Sequence, residues 1–262
     1  MSDQQVAIIT GASSGIGAAA ARMMAAEGVR VVANYAGNAA GAAAVVEACT
    51  AAGGEAIAIQ GDVSQDHVCR DIVNQSLDRF GRLDILVNNA GMTRAASMAD
   101  MDAVSAEDFA DIYAVNLIGV YQMVRAALPQ LKASLNGTVV NTSSIAGLTG
   151  LGSSVAYASS KGALNTLTQS LARSLAPDVR VNAICPGFVD SEWWAKQHDD
   201  EMIDKLRKRA MATTLLRRTV SSEDCAEAIL FFALGAKSIT GQLLTIDNGL
   251  TLNMGQPLAD AQ

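Results

Sequence analysis

Tyr157 and Lys161 stand four residues apart in Tyr157-Ala158-Ser159-Ser160-Lys161, thirteen residues after Ser144. On a helix this spacing puts a phenol and an ammonium on one face, one turn apart. A fixed cation stabilises the phenolate, so the pair predicts a tyrosine pKa drawn down from about 10 toward acid–base work near neutrality. Ser144 closes Asn141-Thr142-Ser143-Ser144 and offers a hydroxyl that can donate to a carbonyl oxygen as an oxyanion-hole group does. Ser143 is the alternative, and strand alternation favours Ser144. Taken alone, a Tyr-x-x-x-Lys pair more often marks a solvated helix face, and paired hydroxyls more often cap a helix.

A second signal lies at the other end of the chain. Thr10-Gly11-Ala12-Ser13-Ser14-Gly15-Ile16-Gly17 joins an apolar run to a helical pattern. Small residues let backbone approach a pyrophosphate, and a helix N-terminus supplies amide donors and a positive dipole end. The spacing is Gly-x-x-x-Gly-x-Gly rather than Gly-x-Gly-x-x-Gly. A site preferring NAD carries an acid about 20 residues later for the ribose 2′-hydroxyl. Here the sequence is Asn34-Tyr35-Ala36-Gly37-Asn38, with no acid to repel a 2′-phosphate. The expected cofactor is therefore NADP(H), bound in the Asn34–Asn38 segment by hydroxyls and amides of Ser13, Ser14, Tyr35 and Asn38. No arginine stands at Ser14 or Ala36, which leaves NAD(H) open. Asp62 suits the adenine amino group, with the Val63 backbone beside it. Asn88-Asn89-Ala90-Gly91 places amides and a glycine on the ribose side.

The elements that must hold these groups are legible in the alternation of short apolar runs with helical patterns. Runs at Val6–Thr10, Val29–Asn34, Ala56–Gln60, Leu83–Asn88, Gly137–Thr142, Val179–Ile184 and Gln242–Ile246 are mostly continuous rather than alternating, as strands covered on both faces are. Helices are expected at Ile16–Glu27, closed by Gly28, and at Ala39–Ala52, closed by Gly53-Gly54. Strand–helix alternation predicts an α/β fold: one doubly wound parallel sheet of about seven strands with helices on both faces. No repeat or linker divides residues 1–262, so a single domain is expected.

Composition narrows the function. The formal charge of −7, from 19 basic and 26 acidic residues, argues against nucleic acid. No stretch approaches the roughly 20 apolar residues of a membrane span, and Met1-Ser2-Asp3-Gln4-Gln5 has no basic leader, so a cytoplasmic protein is expected. Cys49, Cys69, Cys185 and Cys225 are widely spaced and only His67 and His198 are available, so no metal site can be written.

With Thr10–Gly17, Asp62, Asn88–Gly91, Asn116, Ser144, Tyr157, Lys161 and Pro186-Gly187 in order, the chain resembles the short-chain dehydrogenase/reductase family over essentially its whole length. It looks most like the 3-oxoacyl-(acyl-carrier-protein) reductase and ketoreductase branch. The resemblance implies a Rossmann-like sheet, a nicotinamide cofactor, no catalytic metal, and dimers or homotetramers. It also implies roles: Tyr157 as acid in reduction, Ser144 polarising the carbonyl, Lys161 on the nicotinamide ribose, and Asn116 holding a water against Lys161. Pro186, Gly187, Val189 and Ser191 would complete the cofactor site, with the Ser191 hydroxyl in place of the family's usual threonine. A regulatory protein on the same fold is the competing class, and the complete catalytic set favours an enzyme.

Phe188–Ala212 breaks the rhythm with Trp193, Trp194, His198 and a dense charge run, and reads as a substrate lid over about residues 188–212. Met92, Leu148, Leu151, Phe188, Trp193 and Trp194 suggest an apolar pocket for a small carbonyl or alcohol substrate. Arg94, Lys196 and the Lys205–Arg209 cluster offer a basic patch for an acyl-carrier protein, although a solvated helix face explains them as well. Leu164, Leu167, Leu171 and Leu175 recur at helical spacing beside small residues. With the resemblance, they lead to an expected homotetramer, with a dimer as the alternative.

Overall fold

The computed structural model describes residues 4–196 and 199–253. Seven strands, β1 (Val6–Ile9), β2 (Arg30–Tyr35), β3 (Ala56–Gln60), β4 (Ile85–Asn88), β5 (Thr138–Thr142), β6 (Arg180–Pro186) and β7 (Leu243–Ile246), form one sheet in the order β3-β2-β1-β4-β5-β6-β7. Every pairing is parallel. Parallel neighbours need crossovers, and helices supply them on both faces. The helices are α1 (Gly15–Ala26), α2 (Ala39–Ala51), α3 (Asp66–Phe80), α4 (Ala106–Tyr113), α5 (Val120–Ala133), α6 (Ala146–Thr149), α7 (Val155–Leu175), α8 (Asp200–Thr213) and α9 (Ser222–Leu234). The sheet is parallel and covered on both faces, as the strand pattern implied, and Rossmann-like, as the resemblance implied; each strand falls within two residues of its expected span.

Two apolar layers sandwich the sheet. One carries the alanine face of α1 with Met24, Val45, Ile229 and Phe232. The other carries Ile72, Val73, Met123, Leu131 and Leu171 from α3, α5 and α7. The central strands β1, β4 and β5 are buried throughout, which is why their apolar residues stand side by side rather than alternating. The strand order reverses between β1 and β4, so the ends of those strands splay apart into a crevice, where ligands bind in such sheets.

The leucine stripe of α7 is corrected by its packing. Leu164, Leu171 and Leu175 are buried, and Leu167 packs on the same inner layer as Leu171 and Leu175. The stripe covers the chain's own sheet, with Leu167 only partly buried.

Candidate active site

Ser154 fixes the start of α7. Its backbone is extended and its hydroxyl accepts from the Tyr157 amide at 3.2 Å, which places Tyr157 in the first turn and Lys161 one turn on. The Lys161 ammonium donates to the Thr142 carbonyl at 2.8 Å and sits 5.7 Å from the centre of the Tyr157 ring. Ser144, just past β5, accepts from the Ala146 amide at 3.1 Å, and its hydroxyl bond to Tyr157 favours the phenolate.

That bond does not decide the tyrosine's titration. Burial pushes Tyr157 up to about 12, against the downward shift expected from its spacing to Lys161. Burial also lowers Lys161 to about 8, because a charge taken out of water loses solvation that one carbonyl does not replace. Desolvation acts on both groups at once, and spacing along a helix carries no information about it.

Asn116 sits in a π-helical turn, Ala114–Gly119, between α4 and α5. Its carboxamide oxygen accepts from the Met92 amide at 2.8 Å, and its nitrogen donates to the Met92 carbonyl and the Ser160 hydroxyl, both at 3.0 Å. Asn116 Oδ1 and Lys161 Nζ lie 3.4 and 3.8 Å from the point where a Gly91 side chain would begin, so the two groups share one small polar space.

At the other end of the crevice, the Thr10 hydroxyl accepts from the amides of Asn89 and Ala90, each at 2.9 Å. Asn89 returns donors to the Thr10 and Gly11 carbonyls. This clasp ties the glycine turn to the end of β4. Gly11 has φ +62, and a side chain there would begin 2.9 Å from Ala90 Cα. One at Gly17 would begin 2.5 Å from the Asn89 amide nitrogen.

The N-terminus of α1 is one of four among these helices with no side-chain cap. Side chains cap α2, α4, α7, α8 and α9, through Asn38, Ser105, Ser154, Asp199 and Ser221. α1 has no side-chain cap and no acid in its first turn. Its leading amides therefore face the cavity as donors for an anion, which fits the pyrophosphate of a dinucleotide.

A cavity of 1210 Å³ joins the two ends. Of the expected cofactor residues, Gly11, Ser13, Ser14, Gly15 and Ile16 line it, as do Asn34, Asn38, Asp62 and Val63. Asn89, Ala90, Gly91, Pro186, Gly187, Val189 and Ser191 line it too. So do Ser144, Tyr157 and Lys161, with Met92, Leu151, Phe188, Trp193 and Trp194. Gly17 and Asn116 lie just behind the wall. Tyr35 and Leu148 do not reach it: strand alternation turns Tyr35 away from Asn34, and Leu148 is 46 % exposed on the outside of α6. Asn34 lines the cavity, but its amide nitrogen is already spent on the Ile59 and Gly61 carbonyls at 3.2 and 3.0 Å. Asp62 both lines the cavity and accepts from the Ser64 amide at 2.9 Å, so its turn-forming role is also filled.

Several wall residues have no local signature in the sequence. Ile145 just precedes α6, Thr149 and Thr213 end α6 and α8, and Leu250 and Thr251 come from beyond β7. Only the tertiary return of the chain brings them in. Over the mouth, Phe188 stacks on Trp194 with ring centres 5.3 Å apart, and Trp194 Nε1 donates to the Val189 carbonyl. Arg207 binds Asp190 through two bonds of 2.8 Å and ties α8 to the end of β6. The expected basic patch is mostly neutralised: Arg94 pairs with Asp108, Lys205 with Glu201 and Lys208 with Asp204. His198, Met254 and the Lys196 side chain lie outside the described residues. Cys185 is buried behind Ser143, among four buried free thiols.

The family model described as short chain dehydrogenase matches residues 5–202. The chain belongs to that family. As a short-chain dehydrogenase it is an oxidoreductase, and the family implies a nicotinamide cofactor. Among its relatives is a Streptomyces violaceoruber protein named as ketoacyl reductase 2 of the granaticin polyketide synthase, 42% identical over 94% of this chain and 96% of that one. The 3-oxoacyl-(acyl-carrier-protein) reductase FabG of Staphylococcus aureus is 35% identical over 93% of this chain and 97% of its own. A crystal structure described as a short-chain dehydrogenase/reductase from Burkholderia xenovorans superposes with a TM-score of 0.89 at 41% identity. It covers 96% of this chain and 100% of the other. Among the described residues, no helix is long and apolar enough to cross a membrane.

Proposed function

We propose that this short-chain dehydrogenase is an NADP(H)-dependent carbonyl reductase of the ketone or 3-oxoacyl type, with Tyr157 as its proton donor. The observation that carries the reading is one continuous cavity holding both the Tyr157–Ser144–Lys161 cluster and the uncapped start of α1. A nicotinamide held in this cavity would supply the hydride. Tyr157, kept protonated by burial, gives its proton to the developing alkoxide, and Ser144 donates to the same oxygen. Lys161 holds the ribose hydroxyls, and Asn116 holds a water near it that continues the proton path. Phe188, Trp193, Trp194 and the start of α8 act as the lid that excludes water. The relatives' names support a ketoacyl-type substrate, free or carried on an acyl-carrier protein. A panel of aryl ketones and 3-oxoacyl thioesters, followed by NADPH oxidation, tests the reading. No turnover of any member counts against it.

Preference for NADP(H) is supported by the missing acid after β2 and by donors left at the rim, the hydroxyls of Ser13 and Ser14 and the Asn38 amide nitrogen. Asn38 Oδ1 is occupied by the Gly41 amide. Ala36 lines the cavity with its side chain exposed, so it accepts a charge without disturbing the sheet. Ala36→Asp is expected to raise KM for NADPH about tenfold and leave that for NADH within a few-fold, a repulsion of roughly 1.4 kcal/mol. A parent enzyme that already prefers NADH several-fold would overturn the assignment.

A homotetramer is the assembly we infer, from surfaces other than the leucine stripe. β7 is an open sheet edge with Leu244 39 % exposed and Phe231 of α9 51 % exposed beside it, and Phe109, Ile118 and Tyr121 form a second exposed group along α4 and α5. Light scattering is expected to give four times the 27.1 kDa chain mass, and a monomer would refute it.

A further inference from the structure

We infer that Arg209 is a specificity residue that binds an anionic oxygen group on the substrate's far end, so that the enzyme favours ketones bearing a carboxylate or phosphate. The inference rests on the carbonyl-reductase reading and names the substrate class of that site.

Arg209 lines the same cavity as Tyr157. It lies in α8 on the strip formed with Leu206 and Thr213, which are three residues before and four after it and also line the wall. The other wall residues of that half, among them Leu151, Phe188, Trp193, Trp194 and Leu250, are uncharged. Among the described residues, the charged side chains that line the cavity are Asp62, Lys161 and Arg209. Asp62 belongs to the glycine-loop end, and Lys161 is buried against Thr142. Among the described residues, the lid half therefore presents one charge, and it is positive.

The neighbours of Arg209 make the contrast. Lys205, Arg207 and Lys208 are each held by a carboxylate, at 2.7, 2.8 and 2.7 Å. No carboxylate among the described residues pairs with Arg209. Lys205 and Lys208 are neutralised by acids of the helix itself and Arg207 by Asp190, while Arg209, exposed at the cavity mouth, keeps its charge. A guanidinium binds carboxylate or phosphate oxygens through a planar fork, so its match is an oxyanion. Aromatic and aliphatic walls on either side suit an apolar stem between that anion and the ketone. Both a free oxo acid and an oxoacyl thioester on a phosphopantetheine arm have this plan.

Binding is read from the fluorescence of Trp193 and Trp194, the chain's two tryptophans, both on the cavity wall. The full-length protein is titrated, with and without saturating NADP+, using two probe pairs. One is an aryl oxo carboxylate against its methyl ester. The other is a 3-oxoacyl thioester of phosphopantetheine against that of pantetheine. The parent is expected to bind the charged member of at least one pair about five- to tenfold more tightly, the pair that responds identifying the anion's source. Arg209→Gln is expected to erase that preference with the neutral member unchanged, and Arg209→Lys to keep part of it. Equal binding of both members in both pairs overturns the inference. So does a preference that survives in Arg209→Gln, or a substitution that weakens NADPH binding alone. A parent that shows the Arg209-dependent preference yet reduces no ketone would leave this inference standing and refute the carbonyl-reductase reading.

Discussion

Tyr157→Phe is expected to lower kcat for ketone reduction by about 10²–10⁴-fold or more and to leave NADPH binding within a few-fold of the parent. The substitution removes one oxygen and keeps the ring beneath the Lys161 ammonium, so packing around α7 is retained. The lost proton donor has no replacement of matching reach: the Ser144 hydroxyl still polarises a carbonyl but is a poor acid. Cofactor affinity is the control, measured by fluorescence titration of NADPH. Turnover within a few-fold of the parent would remove Tyr157 from the mechanism.

Lys161→Met should separate stability from activity. Lys161 is 4 % exposed, and its pKa falls from 10.5 to about 8 on folding. Below about pH 8 both folded and unfolded chains carry the proton, and the folded chain bears the full cost of burying the charge. Between about 8 and 10.5 only the unfolded chain stays charged, so the cost fades as pH rises and is gone above 10.5. A shift of that size corresponds to about 3 kcal/mol at neutral pH. Methionine fills the same space without charge and gives up only the bond to the Thr142 carbonyl. Its ligand-free Tm is expected to rise by a few degrees at pH 7, with no gain at pH 10.5, while turnover falls at least a hundredfold. In the parent, the same titration should make kcat/KM for NADPH decline above about pH 8. A variant less stable than the parent at pH 7 would show that the lysine supports the fold.

Much of this was legible in the chain, and the exceptions have a common cause. Continuous apolar runs gave away the buried strands, and Gly28 and Gly53 marked helix ends because their φ of +79 and +84 suits glycine. Thr10–Gly17 marked the crevice because strand, turn and helix are contiguous there. What stayed hidden depends on where hydrogen bonds and water end up. Asn34 reads as part of the cofactor rim, and its amide turns out to be stitching β2 to β3. Leu164, Leu171 and Leu175 read as an interface and are core. Tyr157 reads as acidified by its lysine, yet burial weakens both groups as ions. Arg209 reads as one more member of a charge run until its three neighbours are seen to be paired.

The π turn at Ala114–Gly119 makes the site sensitive to residue count as well as residue type. Across it the packing partner changes: α4 lies along α7 while α5 lies along α3. Deleting a single residue between Ser105 and Asn116 would turn the asparagine by about 100° away from Met92 and Ser160. Such a deletion improves helical regularity and removes the carboxamide from its partners. Natural variation in this segment should therefore proceed by substitution at constant length, with insertions and deletions confined to the loops at either end of the helix pair.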